Sequence, residues 1–350
     1  PLLYWVRGLG ALAACALVWA CGWLLRDLYP ERALVWLGVP LLIAVFPQDA
    51  LYYVTGDAFS PLLGGLAFLL LVRLVARPRA SAGAHAAAGL LLAAAFLNKY
   101  PNVALLAAAG VCTLAARRAP TPAPLGRWLL LWGLALLPPL AWLVRNQLLG
   151  GDLTGTAFKV EQLGWGRKSF AEWWDHPILT PAGAWVFLRD LIPTFWRGEV
   201  VWYRNELAWS GADAVYRASS LVFVGLAALG LRRSGRRREV RVAEGAALAA
   251  TCAAVGTLAG LSLLFEFHAA SSPSIDYPYF VQGRLISGVL VPFALLFVRG
   301  IDEATGWLPE RLRDRAAWGL LAAVVTLASV SETALSWPVF HSAYNFYHLP

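Results

Sequence analysis

The chain has 350 residues, of which 59% are hydrophobic and only 14% charged, and its mean hydropathy of +0.59 excludes a soluble globule with a polar surface. The net charge of +8 does not point to nucleic acid, because the basic residues fall mainly in short connections between apolar runs, where membrane topology places them. The cysteines, Cys15, Cys21, Cys112 and Cys252, lie inside apolar segments without metal-ligand spacing, so neither a disulfide framework nor a zinc site is indicated.

In chain order, apolar runs at about 8–25, 33–46, 61–76, 83–99, 101–116, 128–146, 217–231, 242–266, 285–299 and 317–337 predict an all-α, polytopic transmembrane bundle of about ten spans. Hydrocarbon offers no partner to unpaired backbone groups, so such spans are helices, and the period-two alternation of a barrel is absent. Several runs are shorter than the usual ~20 residues and need tilt, flanking residues or close neighbours. No linker divides the chain, which reads as one domain over 1–350. It holds no methionine and opens at Pro1 in mid-pattern, so its natural N-terminus is expected upstream.

Orientation follows from arginine. Loops near 26–32, 73–79, 117–127, 232–241 and 299–315 collect most of it, above all Arg232-Arg233-Ser234-Gly235-Arg236-Arg237-Arg238, and the positive-inside rule makes that side cytoplasmic. The opposite face then receives the 47–60 gap, the Lys99-Tyr100-Pro101 turn, the segment 147–216, the loop 267–284 and the C-terminal tail. Segment 147–216 is too polar to span. Its tryptophans, among them Trp165, Trp185 and Trp196, alternate with Arg189, Arg197 and Arg204, and fit short helices lying in the headgroup layer.

Ionisable groups at a bilayer boundary are costly to keep, which makes each a functional candidate. Asp49 and Asp57 share the gap after Phe46-Pro47-Gln48. Asp57 stands where a helix cap is also expected, and one carboxylate can cap and still face a cleft. Asp49 fits ordinary turn chemistry as well. Lys99 closes one helix in Phe96-Leu97-Asn98-Lys99-Tyr100-Pro101, and Arg145-Asn146 closes another; each serves either as a snorkelling helix end or as a phosphate ligand. Arg284 opens a helix in Gln282-Gly283-Arg284, where a cation opposes the macrodipole unless it helps to hold an anion. Glu266 and His268 are too few for a metal site, Glu244 and His85 read as structural, and His176 reads as an exposed loop residue.

Several short motifs, in order, resemble the GT-C superfamily of integral-membrane glycosyltransferases, especially the protein O-mannosyltransferase and aminoarabinose transferase group. Pro1-Leu2-Leu3-Tyr4 is similar to the end of its "HPPLYY" element, and the stretch from Phe46-Pro47-Gln48 to Gly56-Asp57-Ala58 to its "NPQ…VNNDAL" element. Gly89 to Tyr100 resembles "GLLLGLALLTKY", Arg145-Asn146 with Gly151-Asp152 resembles "RN…YGDP", and Thr194-Phe195-Trp196 and Gln282-Gly283-Arg284 match further short elements. The resemblance covers nearly the whole chain. It implies sugar transfer from a polyprenyl-phosphate donor to a glycan, lipid or protein acceptor on the extracytoplasmic side of a bacterial inner membrane. Asp57 would be the second outer-loop acid, with Asp49 beside it, while Lys99, Arg145, Asn146, Gln282 and Arg284 would bind substrate or phosphate. The family's principal acid precedes the "HPPLYY" element and is expected upstream of Pro1. No cofactor is called for, no metal ligand is assigned, and a role for a divalent metal stays open. Partners are then the donor, the acceptor and the bilayer, without nucleic acid. Two other readings fit the same sequence: a flippase for a lipid-linked glycan, disfavoured because the spans lack charges at mid-depth, and an O-antigen-type ligase or polymerase acting through segment 147–216.

Overall fold

Each apolar run folds as a helix, and successive helices pass back and forth between two ends of one bundle. The computed structural model describes all residues except 1, 48–55, 78, 121, 200, 203–204, 233–236, 269–272 and 343–350. In order the helices are α1 (Leu2–Leu28), α2 (Ala33–Ala44), α3 (Ser60–Ala76), α4 (Ala82–Asn98), α5 (Leu105–Arg117), α6 (Leu125–Gly150), α7 (Ala157–Gln162), α8 (Pro181–Arg197), α9 (Ser210–Gly230), α10 (Arg238–Leu264), α11 (Leu290–Thr305) and α12 (Glu310–Phe340). Local chemistry sets several ends. Ser81 caps α4 by accepting from Ala84 N–H at 3.2 Å, Thr180 caps α8 by accepting from Gly183 N–H at 3.0 Å, and Gly151 closes α6 with a φ of 65°. Two antiparallel ladders of two residues per strand complete the described secondary structure: β1 (Gly166–Arg167) pairs with β4 (Phe265–Glu266), and β2 (Val201–Trp202) with β3 (Asn205–Glu206).

Seven of the described helical segments are long and apolar enough to cross a membrane. The other three of the ten expected spans fall short of that length: α2 has 12 residues, α4 17 and α5 13. At 1.5 Å per residue, 12 residues reach only about 18 Å, well short of a ~30 Å hydrocarbon core. These helices pack on their neighbours, α2 on α1 and α11, α4 on α3 and α6, α5 on α3 and α10. At the centre stands the segment Gly283–Thr305, whose apolar window is 94% buried, with α11 packed on α2, α3, α9, α10 and α12.

The arginine-bearing connections do gather at one end. Arg77 pairs with Asp27 at 2.7 Å, Arg127 donates to Ala80 O at 2.7 Å, Arg237 to Leu28 O and Arg238 to Ala115 O. These bonds place the ends of α1, α3 and α5 beside the starts of α4, α6 and α10, as strict alternation requires. Three residues depart from the expected roles. Arg299, expected in a connecting loop, lies inside α11 and is 6% exposed. It meets Glu244 of α10 at 2.7 Å, Glu303 at 3.1 Å and Asp302, and Asp302 also takes Arg313 of α12 at 2.9 Å. Glu244 is fully buried and structural, as expected, and His85, at 1% exposure, stands edge-on to Trp128. Trp196 and Arg197 do not lie at an interface. Trp196 has no exposed surface and stacks between Phe46 at 4.6 Å and Tyr216 at 4.7 Å, while Arg197 grips Asp213 of α9 at 3.0 Å. Trp174 and Trp185 are exposed.

Removing the cation from a buried network leaves its acids uncompensated. Arg299→Met is expected to lower the stability of the detergent-solubilised protein by about 3–5 kcal/mol. Arg32→Gln, whose guanidinium stands 3.9 Å from Asp302 and is 44% exposed, is expected to cost about 1 kcal/mol or less. Equal losses in the two thermal melts would contradict this account of the network.

Candidate functional site

At the end of the bundle opposite the arginine loops, three connections meet. The first is the 3-10 turn Gly56–Phe59 leading into α3, the second the turn Tyr100–Ala104 between α4 and α5, and the third the turn Gly283–Val289 leading into α11. Asn102 ties them together. Its amide nitrogen donates to Ala95 O at 2.8 Å and to Ser60 Oγ at 2.9 Å, and its carbonyl oxygen accepts from Ser60 Oγ at 3.2 Å. A Cβ on Gly288 would overlap Asn102 Oδ1, and one on Gly64 would overlap Gly288 O, so both positions require glycine for close approach. Asn102 is 2% exposed and Ser60 fully buried, so these bonds form away from water, where an unmade one costs most.

Three of the predicted site residues converge on this staple. Lys99 Nζ stands 2.6 Å from Asp57 Oδ1 and donates to Arg284 O at 3.1 Å. The lysine side chain is 10% exposed and the aspartate 24%, so the pair is half-sheltered and its attraction is stronger than at an open surface. Two expectations change here. Asp57 does not cap α3, because Phe59 occupies that position, and Lys99 does not snorkel toward water but turns inward to its partners. Arg284 contributes its carbonyl to Lys99. Its half-buried guanidinium pairs with no carboxylate among the described residues.

Gln282 and Arg284 are placed by a second close approach. Thr194 Oγ1 of α8 donates to Val281 O and accepts from Gly283 N–H at 3.2 Å, and a Cβ on Gly283 would overlap the backbone of Phe195. The two short motifs Thr194-Phe195-Trp196 and Gln282-Gly283-Arg284 are therefore in direct contact. Arg145 and Asn146 are not at a helix end. α6 continues to Gly150, which leaves Arg145 exposed on its last turns, and Asn146 lies under the turn at Gly155. Among the described residues, neither has an ion pair with Asp57. Asp49 lies outside the described residues.

Nearby loops are held by side chains whose roles depend on distant partners. Asp152 accepts from Thr156 N–H at 2.6 Å, Ala157 N–H at 2.7 Å and Arg167 at 2.8 Å. Burial works to raise its pKa, but Arg167 and these backbone donors outweigh it and hold the carboxyl below the usual range. His176, expected to be exposed, is 2% exposed. Its Nδ1 accepts from Ile178 N–H at 3.0 Å and its Nε2 lies 3.0 Å from Pro278 O, so both ring nitrogens are engaged by backbone. It lines a groove of about 560 Å³ with Lys168, Glu172, Asp175, Glu266 and Tyr279. Glu266 and His268 lie exposed, and no group of three potential metal ligands occurs among the described residues. No protein-family model, curated protein or solved structure matches the chain.

Asn102, Ser60, Gly64 and Gly288 were not among the residues that the sequence marked out. The signal for them was weak: a Pro101-Asn102 turn after a lysine and a glycine pair at the start of an apolar helix.

Burial lowers the His176 pKa, and the nearby Lys168 charge adds to it, against the Pro278 hydrogen bond. The unfolded chain then binds a proton at a pH where the folded one does not, so stability is complete above the free value of about 6.5 and falls as pH drops through the folded value. Amide protection factors over 176–184, that is exchange corrected for its intrinsic pH dependence, are expected to fall between pH 7.5 and 5.5, and to lose that fall in His176→Gln. An identical pH response in the variant would contradict this assignment.

Proposed function

We propose that the chain is a GT-C-type membrane glycosyltransferase that moves a sugar from a polyprenyl-phosphate donor to an acceptor on the extracytoplasmic side. One observation carries the reading: Asp57, Lys99 and Arg284, from three separate connections, meet at the end of the bundle opposite the arginine-rich loops. By the positive-inside rule the arginine end is cytoplasmic, which turns the site toward the cell envelope. A bacterial inner membrane is the setting that the motif resemblance favours.

In this reading, the Arg284 guanidinium and Gln282 hold the donor phosphate, whose charge grows as its bond to the sugar breaks. Lys99 fixes the Asp57 carboxylate through a short ion pair and, through Arg284 O, fixes the backbone that carries the phosphate ligand. Asp57 then orients the acceptor hydroxyl or the donor, and Asp49 takes a supporting part in the same stretch of sequence. Arg145 and Asn146, farther along α6, serve the lipid-borne phosphate as it approaches. In the transfer itself, the acceptor oxygen bonds to the anomeric carbon, the phosphate leaves with the bonding pair, and the acceptor proton passes to a carboxylate.

The test uses membranes containing the full chain, supplied with polyprenyl-phosphate mannose, glucose or arabinose carrying labelled sugar. Asp57→Ala is expected to reduce transfer by roughly 10²-fold, as the loss of an orienting group does, with the donor still present. Arg284→Ala is expected to act mainly through a higher donor KM. Unchanged transfer in both variants, with glycan failing to appear outside, would overturn the enzyme in favour of a flippase.

A further inference from the structure

A second charged cavity lies at the arginine end, remote from Asp57. Its volume is about 450 Å³, within the range of ligand pockets, and it opens between the last turns of α1 and α3 and the start of α10. Leu25, Leu69 and Val72 form apolar walls, and Arg73, Arg77 and Arg237 ring the mouth with Asp27 and Glu239. We propose that this cavity binds the phosphodiester headgroup of an anionic phospholipid.

Each arginine has a local use, and those uses do not fill the space. Arg237 donates to Leu28 O and Arg77 pairs with Asp27 at 2.7 Å, as charges at helix C-termini commonly do. Arg73 has no such partner among the described residues. Its guanidinium lies 4.8 Å over the Trp23 ring, and Trp23 stacks at 5.8 Å on Trp19, one turn farther from the end. Both tryptophans are exposed, at 51% and 70%.

Arg73 therefore joins the cavity to an exposed apolar ramp of two tryptophans along α1. A phosphate with acyl chains meets both halves of this surface, the arginines and the ramp, whereas a free phosphate meets only one. The start of α10 adds to the fit. Its N-cap, Arg237, makes no side-chain cap and lines the cavity with Glu239 of the first turn, which places the positive end of the helix dipole beside it. Basic pockets between helices at a membrane face are the known physical basis for holding anionic headgroups.

The test is native mass spectrometry of the full chain, released from detergent after equilibration with phosphatidylglycerol or phosphatidylcholine. Phosphatidylglycerol is expected to be retained preferentially, and R73Q/R77Q to lower that retention about fivefold for each arginine lost. Asp27→Asn, which frees Arg77 from its competing carboxylate, is expected to raise retention. That variant decides the matter if R73Q/R77Q does not fold. Equal retention of the two lipids, or a D27N variant no better than the parent, would overturn the assignment. So would inorganic phosphate alone raising the melting temperature as much as the lipid does.

Discussion

A single buried amide organises the outer end of this bundle. Asn102 can make its hydrogen bonds only if Ser60 and the end of α4 come within reach, the missing side chain at Gly288 lets the third connection close against the same amide, and a buried amide left unsatisfied costs more than the bonds themselves gain. The three segments are thus pinned to one another. Asp57 lies three residues before Ser60, Lys99 three before Asn102 and Arg284 four before Gly288. Fixing the staple fixes the stretch of chain from which each charged group projects, so the ion pair follows from the backbone arrangement instead of having to create it.

The two ends of the bundle handle charge differently. At the arginine end the buried residues Arg299, Glu244, Asp302 and Glu303 are satisfied by one another and by Arg313, and such a network holds α10, α11 and α12 in register without presenting charge to a ligand. At the opposite end Asp57 and Lys99 are paired but partly open, and the Arg284 guanidinium has no carboxylate partner among the described residues. Charge that is neutralised serves architecture. Charge that is held in place but incompletely paired is what a phosphate site needs.

The helices were legible because long apolar runs allow little else, and all ten expected runs are helical. Their inequality was less legible. α2 reads as a span by composition, yet its 12 residues depend on neighbours for burial. Side-chain roles in the long polar segment were the hardest to read. Trp196 has the same composition around it as an interfacial tryptophan, and only its stacking with Phe46 and Tyr216, both remote in sequence, makes it core. His176 looked exposed because its cover, the backbone at Pro278, lies about a hundred positions away. At the site, charges at helix ends marked Asp57, Lys99 and Arg284, whereas the uncharged groups that assemble them gave almost no signal.

The central claim is that the Asn102 staple creates the Asp57–Lys99 pair. Its most direct test is a double-mutant cycle between Asp57→Asn and Lys99→Met, read from unfolding of the detergent-solubilised protein, first in the parent and then in an Asn102→Ala background. A coupling of about 1–2 kcal/mol is expected in the parent, falling below about 0.5 kcal/mol without the amide. The same coupling in both backgrounds would show that the ion pair forms independently of the staple and would contradict the account.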